Sequence, residues 1–244
     1  MVLGIVVLVL LVLVGGMGAA GWFLMMPAIG NVRSAASRAQ AQNNARQLSL
    51  ALLNHESQHA VFPKSATTDD QGAPLLSWRV KILPYVESGG LYEQFHHDEP
   101  WDSPHNRSLI SQMPPIFASP DVQLASGHTC WQAVVGQNSV IAKYSEMDLK
   151  GAPFPGVSPG MIRDGLSNTI MVVEVNPDRA VIWTKPDDFE YDPADPMRGL
   201  GSTRPGGFIA AYADGSARQI PQQTDPEMLR RLFDRNDAKP INLP

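Results

Sequence analysis

Residues 24–63 read LMMPAIGNVRSAASRAQAQNNARQLSLALLNHESQHAVFP, and the rest of the architecture is organised around this stretch. Apolar and small residues recur in it at intervals of three and four, which is the spacing of one face of an α-helix. Phe62-Pro63 ends the pattern, because the residue before a proline is biased away from helical backbone. The sequence predicts a helix over 31–61, bent near Pro27. Its apolar stripe comprises Val32, Ala35, Ala36, Ala39, Leu48, Ala51, Leu52 and His55.

The run upstream of this helix, residues 2–29, carries no charged side chain. A membrane-spanning helix needs about 20 apolar residues. A cleaved signal peptide has a shorter apolar core and a basic start, and neither is found here. We therefore expect residues 1–30 to form a transmembrane anchor in a single-pass membrane protein whose first partner is the lipid bilayer.

The orientation of this anchor is harder to predict. The nearest basic residues, Arg33, Arg38 and Arg46, follow the apolar run, so the positive-inside rule places the downstream domain in the cytoplasm. With almost no N-terminal tail, however, the rule has little to compare, and a start codon upstream that supplies a basic leader would remove the conflict. Our expectation is a cell inner membrane protein with an extracytoplasmic globular domain.

Composition limits the classes of function that remain. Of the 244 residues 43% are hydrophobic, and the net charge of −5 without a basic stripe excludes nucleic acid as a partner. A single cysteine, Cys130, excludes an intramolecular disulfide and is typical of a buried apolar side chain. After the anchor, 31–244 has the length of one domain.

The body of the chain has the turn-rich pattern of an antiparallel sheet with large loops. Asp214-Gly215 is typical of a hairpin turn, and Asp164-Gly165 of a turn before a strand. Asp225 and Pro226 mark the start of a last helix. Residues 77–99 suggest two helical pieces broken at Gly89-Gly90, and 100–128 a loop. The predicted strands are Cys130–Val135, Thr169–Val175, Arg179–Thr184, Phe208–Tyr212 and Ala217–Ile220, which makes the fold class α+β.

Several short stretches resemble one bacterial family in the order in which its members carry them. Together with residues 24–63, they cover most of the chain. The family is that of domain of unknown function 1559. The stretches are Ser77-Trp78-Arg79, Leu83-Pro84-Tyr85, Pro100 to Asn106, Asp164 to Ile170, Pro205-Gly206-Gly207 and Ala213 to Ser216.

This resemblance implies a type IV pilin-like protein, similar in its N-terminal half to type IV pilins and to the pseudopilins of type II secretion. The family also carries a solute-binding label. The chain departs from the family at several points. It lacks the basic leader, the cleavage site and the early helical glutamate of pilin precursors. Arg204 stands where the family's C-terminal motif of His, nine residues and Asp-Gly has its histidine, and Ala41 and Ala118 stand where many members have cysteines.

One motif suggests metal chemistry. His55-Glu56-Ser57-Gln58-His59 matches H-E-x-x-H, in which two histidines one helical turn apart bind zinc and the glutamate acts as general base. No third ligand follows on a known spacing, and Glu87 and Glu93 are candidates only by default. We interpret the match as accidental.

Two further polar clusters have alternative interpretations. His96, His97, Asp98, Glu99 and His105 are either a metal-binding loop or a polar loop that Trp101 anchors to the core, and we favour the second interpretation. Asp187, Asp188, Asp192 and Asp195 are either calcium ligands or an acidic surface turn, since their spacing fits no EF-hand. We therefore assign no catalytic, cofactor-binding or metal-binding residue and expect no cofactor.

The sequence thus favours a non-enzymatic, pilin-like or pseudopilin-like protein of the cell envelope with a structural or interaction role. Its expected partners are further copies of the chain or the components of a pilin-like assembly. One alternative is a membrane-tethered module that binds a solute or polymer in the loops around Trp101 and His105. A third possibility is a zinc metallohydrolase that uses His55 and His59.

Overall fold

The structure is a computed structural model that describes residues 32–120, 122–147 and 150–237. The predicted anchor at 1–30, and Pro27 with it, lies outside these residues. The chain divides into two compact units, Met1–Gln40 and Ala41–Pro244. Within the described ranges, no helix combines the length and the hydropathy needed to cross a membrane.

A single long helix, α1, occupies residues 32–59, as the sequence predicts. It ends two residues earlier than the predicted boundary, because Ala60 adopts a left-handed backbone with φ of 62° while its N–H still bonds to the carbonyl of Glu56. Phe62 then leaves the helix, and its N–H bonds to the carbonyl of Val157. In the second unit, the stripe is buried at Leu48, Ala51, Leu52 and His55, joined by Ala41 and Ala45.

A five-stranded sheet forms the centre of the second unit, with the strand order β7-β4-β5-β8-β9. All its neighbours are antiparallel except β4 and β7, which are parallel. The predicted α+β class with antiparallel sheets is therefore confirmed. The strands are β4 (Trp131–Val135), β5 (Ile170–Glu174), β7 (Phe189–Glu190), β8 (Gly207–Tyr212) and β9 (Ala217–Pro221).

Two small antiparallel pairs are separate from this sheet. They are β1 (Ala66–Thr68) with β2 (Pro74–Ser77), and β3 (His128–Thr129) with β6 (Val181–Ile182). The remaining helices are α2 (Trp78–Lys81), α3 (Gly89–Tyr92), α4 (Pro104–Ser108) and α5 (Pro226–Phe233).

The three central strands, β4, β5 and β8, are buried along their whole length because both faces of the sheet are covered. On one face, Leu48 and Leu52 of α1 share a cluster with Ile209 and Ala211 of β8. On the other, the alternate residues of β8 share a cluster with α5. A sheet covered on both sides explains why these strands are continuous apolar runs without polar alternation. The α5 side consists of Leu229, Leu232 and Phe233, with Met228 at its margin.

The start of α5 follows the predicted capping. The side chain of Asp225 accepts hydrogen bonds from the N–H groups of Glu227 and Met228, and Pro226 fills the first turn, where no N–H partner is needed.

The turn between β8 and β9 lies directly against α1. The Asp214 carboxylate accepts from the N–H and the hydroxyl of Ser216, and Gly215 has φ of 89°. A Cβ on Gly215 would stand 3.3 Å from Leu50 Cδ2 and 3.4 Å from Leu53 Cδ1. The Asp-Gly pair, predicted as turn chemistry, therefore also allows the close approach between the hairpin and the helix.

The structure differs from the sequence prediction in three segments. The expected strand Arg179–Thr184 shortens to Val181–Ile182, because a 3₁₀ turn occupies Pro177–Arg179. Residues 100–128 are not all loop, since they contain α4. Gly89 and Gly90 begin α3 instead of breaking a helix, and the interruption falls at Glu87, whose φ is 57°.

Candidate functional site

His55 and His59 lie one turn apart at the C-terminal end of α1, with their ring centroids 4.3 Å from each other. His55 is 4% exposed and its Nδ1 lies 3.2 Å from the carbonyl oxygen of Val61, which identifies Nδ1 as the protonated nitrogen. Its Nε2 is buried and has no hydrogen-bond partner among the described residues. His59 lies near Tyr85, whose hydroxyl donates to Gln58 at 2.8 Å.

The His55 imidazole is held in its neutral form. Burial, followed by the positive charge of His59, lowers the pKa of His55 to about 4, and Lys81 acts in the same direction against the hydrogen bond to Val61. An uncharged ring with one free nitrogen is the form that a metal would need. In the described part of the chain, however, no three His, Cys, Asp or Glu side chains are grouped so that they could hold a metal ion.

A cleft of about 360 Å³ opens beside these two histidines. Lys64 and Lys81 line it, and neither Glu87 nor Glu93 does. The other lining residues are Val61, Phe62, Pro63, Ala66, Thr67, Thr68 and Pro155.

The histidines of the second cluster are bound to their own loop. The rings of His96 and His105 stack at 3.5 Å, and His105 Nε2 lies 2.7 Å from the carbonyl oxygen of Gln94. His96 Nδ1 meets Glu99 Oε1 at 2.9 Å, while His97 turns away to Tyr92. Hydrogen bonding to Ser103 and then to His96 holds the pKa of Glu99 below its usual range. One ring nitrogen of each of the three histidines is thus engaged within the loop.

Asn106 organises this loop, a role that sequence reasoning missed. Its buried amide nitrogen donates to the carbonyls of His96, Glu99 and Pro100, and its Oδ1 accepts from the N–H of His96. Trp101 packs against the main core, as predicted. The position of Asn106, three residues after the helix cap Ser103, was the available signal.

The four aspartates proposed as calcium ligands do not form one cluster. Asp188 turns inward and makes an ion pair with Arg79 at 2.8 Å, both side chains being almost fully buried. Its Oδ1 also accepts from Trp78 Nε1 and from the N–H of Ala133. The others are on the surface, where Asp187 pairs with Lys185 and Asp192 with a nearby arginine. The structure therefore assigns Asp188 to the ion pair with Arg79.

Arg79 forms hydrogen bonds with three segments of the chain. Its Nε donates to the carbonyl of Trp131, Nη1 to the hydroxyl of Ser77, and Nη2 to Asp188. Burial raises the pKa of Asp188 to about 6 and lowers that of Arg79, while the attraction between the two charges opposes both shifts. Removing either partner therefore leaves the other buried without its counter-charge.

A second buried ion pair involves Arg204, at the position where the resemblance implies a histidine. Arg204 donates through Nε to Glu174 Oε2 at 2.7 Å and through Nη2 to Oε1 at 2.9 Å, with further support from the carbonyl of Pro120. Glu174 ends the central strand β5, and it was not recognised in the sequence. The available signal in the sequence was the acidic Glu174 directly after the apolar run Ile170-Met171-Val172-Val173.

Cys130 lies close to this pair. Its carbonyl accepts from the N–H of Val175, and burial, the largest influence, raises the pKa of its thiol to about 11. A thiol that stays protonated at neutral pH is a poor nucleophile. The structure thus agrees with the interpretation of Cys130 as a buried apolar side chain.

The segments containing Ala41 and Ala118 are neighbours. Ala41 is fully buried on α1, and one turn later Asn44 donates to the carbonyl of Ala118 at 3.1 Å. Trp131 Nε1 donates to the same oxygen at 3.3 Å. The two positions at which the resemblance places cysteines are therefore on segments that contact each other.

A family model described as "Protein of unknown function (DUF1559)" matches residues 30–197. The chain belongs to this family. No curated protein and no solved structure matches it. The matched span covers α1 and the sheet up to β7, whereas Arg204 and the turn at Asp214-Gly215 follow it.

The stretches that resembled the family take structural roles in this DUF1559 protein. In Ser77-Trp78-Arg79, the tryptophan and the arginine bind Asp188. Asn106 closes a loop, and Asn168 closes the predicted turn through the carbonyl of Asp164 at 3.0 Å. They fix the packing of loops on the sheet.

Proposed function

We propose that this DUF1559 protein is a membrane-anchored, non-enzymatic, pilin-like protein of the cell envelope, with a structural or interaction role. In this proposal residues 1–30 hold the chain in the inner membrane and 31–244 form an extracytoplasmic domain. The partners are the lipid bilayer and either further copies of the chain or the components of a pilin-like assembly.

The observation that carries the proposal is the way α1 is used. From Ala41 to His55, one side of the helix is buried under the antiparallel sheet, and Ser49 is hydrogen-bonded to the carbonyl of Tyr212. The same chain begins with the uncharged run 2–29. A pilin-like subunit has this design: a lipid-compatible segment leads into a helix, and a β-rich domain covers the C-terminal part of that helix.

The opposite side of α1 supports an interaction role. Leu50 is 48% exposed, although its Cδ2 lies near the Gly215 turn, and beside it are the exposed side chains of Asn43, Arg46, Gln47 and Asn54. An exposed leucine among long polar side chains suits a contact between subunits that forms and dissociates.

Membrane attachment and orientation are tested with the full-length chain in cells. Alkaline phosphatase fused after Pro244 is active only outside the cytoplasm, and a green fluorescent protein fused at the same place fluoresces reliably only inside it. We expect phosphatase activity, and we expect the fusion protein to stay with the membrane fraction until detergent is added. Release of the protein without detergent, or fluorescence without phosphatase activity, contradicts the proposal.

The interaction role is tested by photo-crosslinking. A photoreactive amino acid at Arg46, on the exposed side of α1, is expected to give crosslinked products in intact cells. The same amino acid at Asp70, exposed on the β1–β2 turn, serves as the matched control. Equal yields from the two positions would argue against an α1 interface.

A further inference from the structure

The cleft beside His55 and His59 is basic although the protein as a whole is acidic. Lys64 and Lys81 line it together with the two histidines, and its lining includes neither aspartate nor glutamate. The net charge of the whole chain is −5. Like-charged side chains that gather around a concavity of about 360 Å³ raise the local concentration of the opposite ion.

The two lysines come from different segments and keep donor capacity. Lys64 follows α1 and uses one N–H to reach the carbonyl of Tyr144 at 3.3 Å, while Lys81 ends α2. In the ranges that the structure describes, neither lysine forms an ion pair. Each ammonium group carries three N–H donors. The two lysines therefore retain several N–H donors that are not bonded to a carboxylate.

The imidazole of His55 experiences the field of this cleft. It is held neutral by burial, by His59 and by Lys81, against the hydrogen bond from its Nδ1 to Val61. The ring of Tyr85 covers its edge at 5.9 Å. Lys64 and Lys81 thus share the lining of the cleft with no aspartate or glutamate to compensate their charge.

We propose that this cleft binds a phosphate group, either free or as a terminal monoester, with Lys64 and Lys81 as its charged ligands. Two ammonium groups match the charge of a phosphate dianion. Thr68 also lines the cleft, and its hydroxyl is a further donor of the kind that phosphate oxygens accept. The site is separate from the α1 surface proposed to meet other subunits.

Binding is measured by isothermal titration calorimetry of inorganic phosphate into the full-length chain in neutral detergent. We expect saturable binding that Lys64→Met with Lys81→Met weakens by at least about tenfold. Lys143→Met, at an exposed lysine paired with Glu190, serves as the matched control and leaves the affinity unchanged. Absence of saturable binding up to about 10 mM phosphate, or equal affinity in the double and control variants, overturns the proposal.

A second measurement does not depend on the folding of any variant. A bound anion offsets the repulsion from Lys81 and His59, so phosphate is expected to raise the pKa of His55, followed by the NMR signals of its imidazole nitrogens. Chloride at the same ionic strength is the control. An identical titration of His55 in the two salts contradicts binding at this cleft.

The source of the phosphate group is distinguished by a second pair of ligands. Dioctanoyl phosphatidic acid presents the monoester of a lipid, and glucose 6-phosphate that of a soluble metabolite. Tighter binding of the lipid assigns the cleft to the membrane surface, and tighter binding of the sugar phosphate assigns it to a soluble ligand. If neither ligand competes with inorganic phosphate, the monoester part of the proposal is wrong.

Discussion

Arg204 and Glu174 form a buried ion pair through two hydrogen bonds, although Arg204 lies in a loop and Glu174 ends the central strand β5. The guanidinium group spans both carboxylate oxygens, a geometry that one imidazole nitrogen cannot reproduce. Arg204, which stands where the resemblance places a histidine, therefore has a specific partner on the sheet.

Arg204→Met is expected to lower the free energy of unfolding by about 3–5 kcal/mol, because it leaves the Glu174 carboxylate buried and unpaired. Adding Glu174→Leu to the same chain should restore most of that loss. Arg198→Met, at an exposed arginine 3.7 Å from Asp192, is the control and should change stability by less than about 0.5 kcal/mol. Urea denaturation measures all three variants, and a double variant no more stable than Arg204→Met would contradict the pairing energetics.

Gly215→Ala should destabilise the protein more than Gly72→Ala does. Both glycines have a left-handed backbone, with φ of 89° and 83°, so the conformational penalty is shared. Only at Gly215 does the new methyl group meet Leu50 and Leu53 of α1, whereas at Gly72 nothing lies within 4 Å. We expect a difference of about 1 kcal/mol in thermal or urea unfolding. Equal losses would show that the hairpin does not press against the helix in solution.

Ser49→Ala removes the hydrogen bond that α1 donates to the carbonyl of Tyr212. The expected loss is about 1 kcal/mol in the free energy of unfolding, because one buried hydrogen bond is removed while the Tyr212 carbonyl still accepts from the N–H of Gly215. Ser57→Ala, at an exposed serine of the same helix, is the control for helix propensity. A similar effect from both substitutions would assign the loss to the helix itself.

His55 is expected to make stability depend on pH. Its pKa of about 4 in the folded chain lies below the ordinary value of 6.5, so between these two values the unfolded chain binds more protons. Stability therefore rises from pH 4 to 6.5 and is lost as the pH falls through this window, by roughly 1–3 kcal/mol.

His55→Asn is the variant that isolates this effect. Its amide nitrogen can still donate to the carbonyl of Val61 but does not titrate. The difference in the free energy of unfolding between wild type and variant should change by roughly 1–3 kcal/mol between pH 4 and pH 6.5. Above pH 7 it should stay constant. A difference that does not change with pH would contradict the lowered pKa.

Ala41→Cys with Ala118→Cys is expected to form a disulfide on mild oxidation, since Asn44 already brings the two segments into contact. Closing this loop should raise the free energy of unfolding by up to about 4 kcal/mol. Ala51→Cys with Ala118→Cys is the control, because ten helical residues displace the first cysteine by about 15 Å. Thiol counting by mass spectrometry, with the buried Cys130 as internal reference, reports the bond.

The sequence predicted the elements whose patterns are local. The helix 32–59, the hairpin turn at Asp214-Gly215 and the cap at Asp225 follow from periodicity and turn chemistry, and the structure confirms them. The strands β1, β2, β3 and β7 were missed because each has four residues or fewer, too few to show alternation.

The polar contacts were less predictable because their partners are distant in the chain. The sequence pattern groups Asp188 with the neighbouring aspartates, but its partner Arg79 is 109 residues away. Glu174 and Arg204 are 30 residues apart, and the two lysines of the basic cleft come from different elements. A single sequence contains the charges but not the pairing that tertiary contacts impose.

The hydrogen bond between Ser49 and Tyr212 joins residues 163 positions apart, and the sheet that covers α1 is completed by β8 and β9, close to the end of the chain. Contacts of such sequence separation form late, because a long loop must close before they contribute. While the ribosome is still synthesising the chain, the apolar side of the emerging helix therefore has no β8–β9 hairpin to cover it.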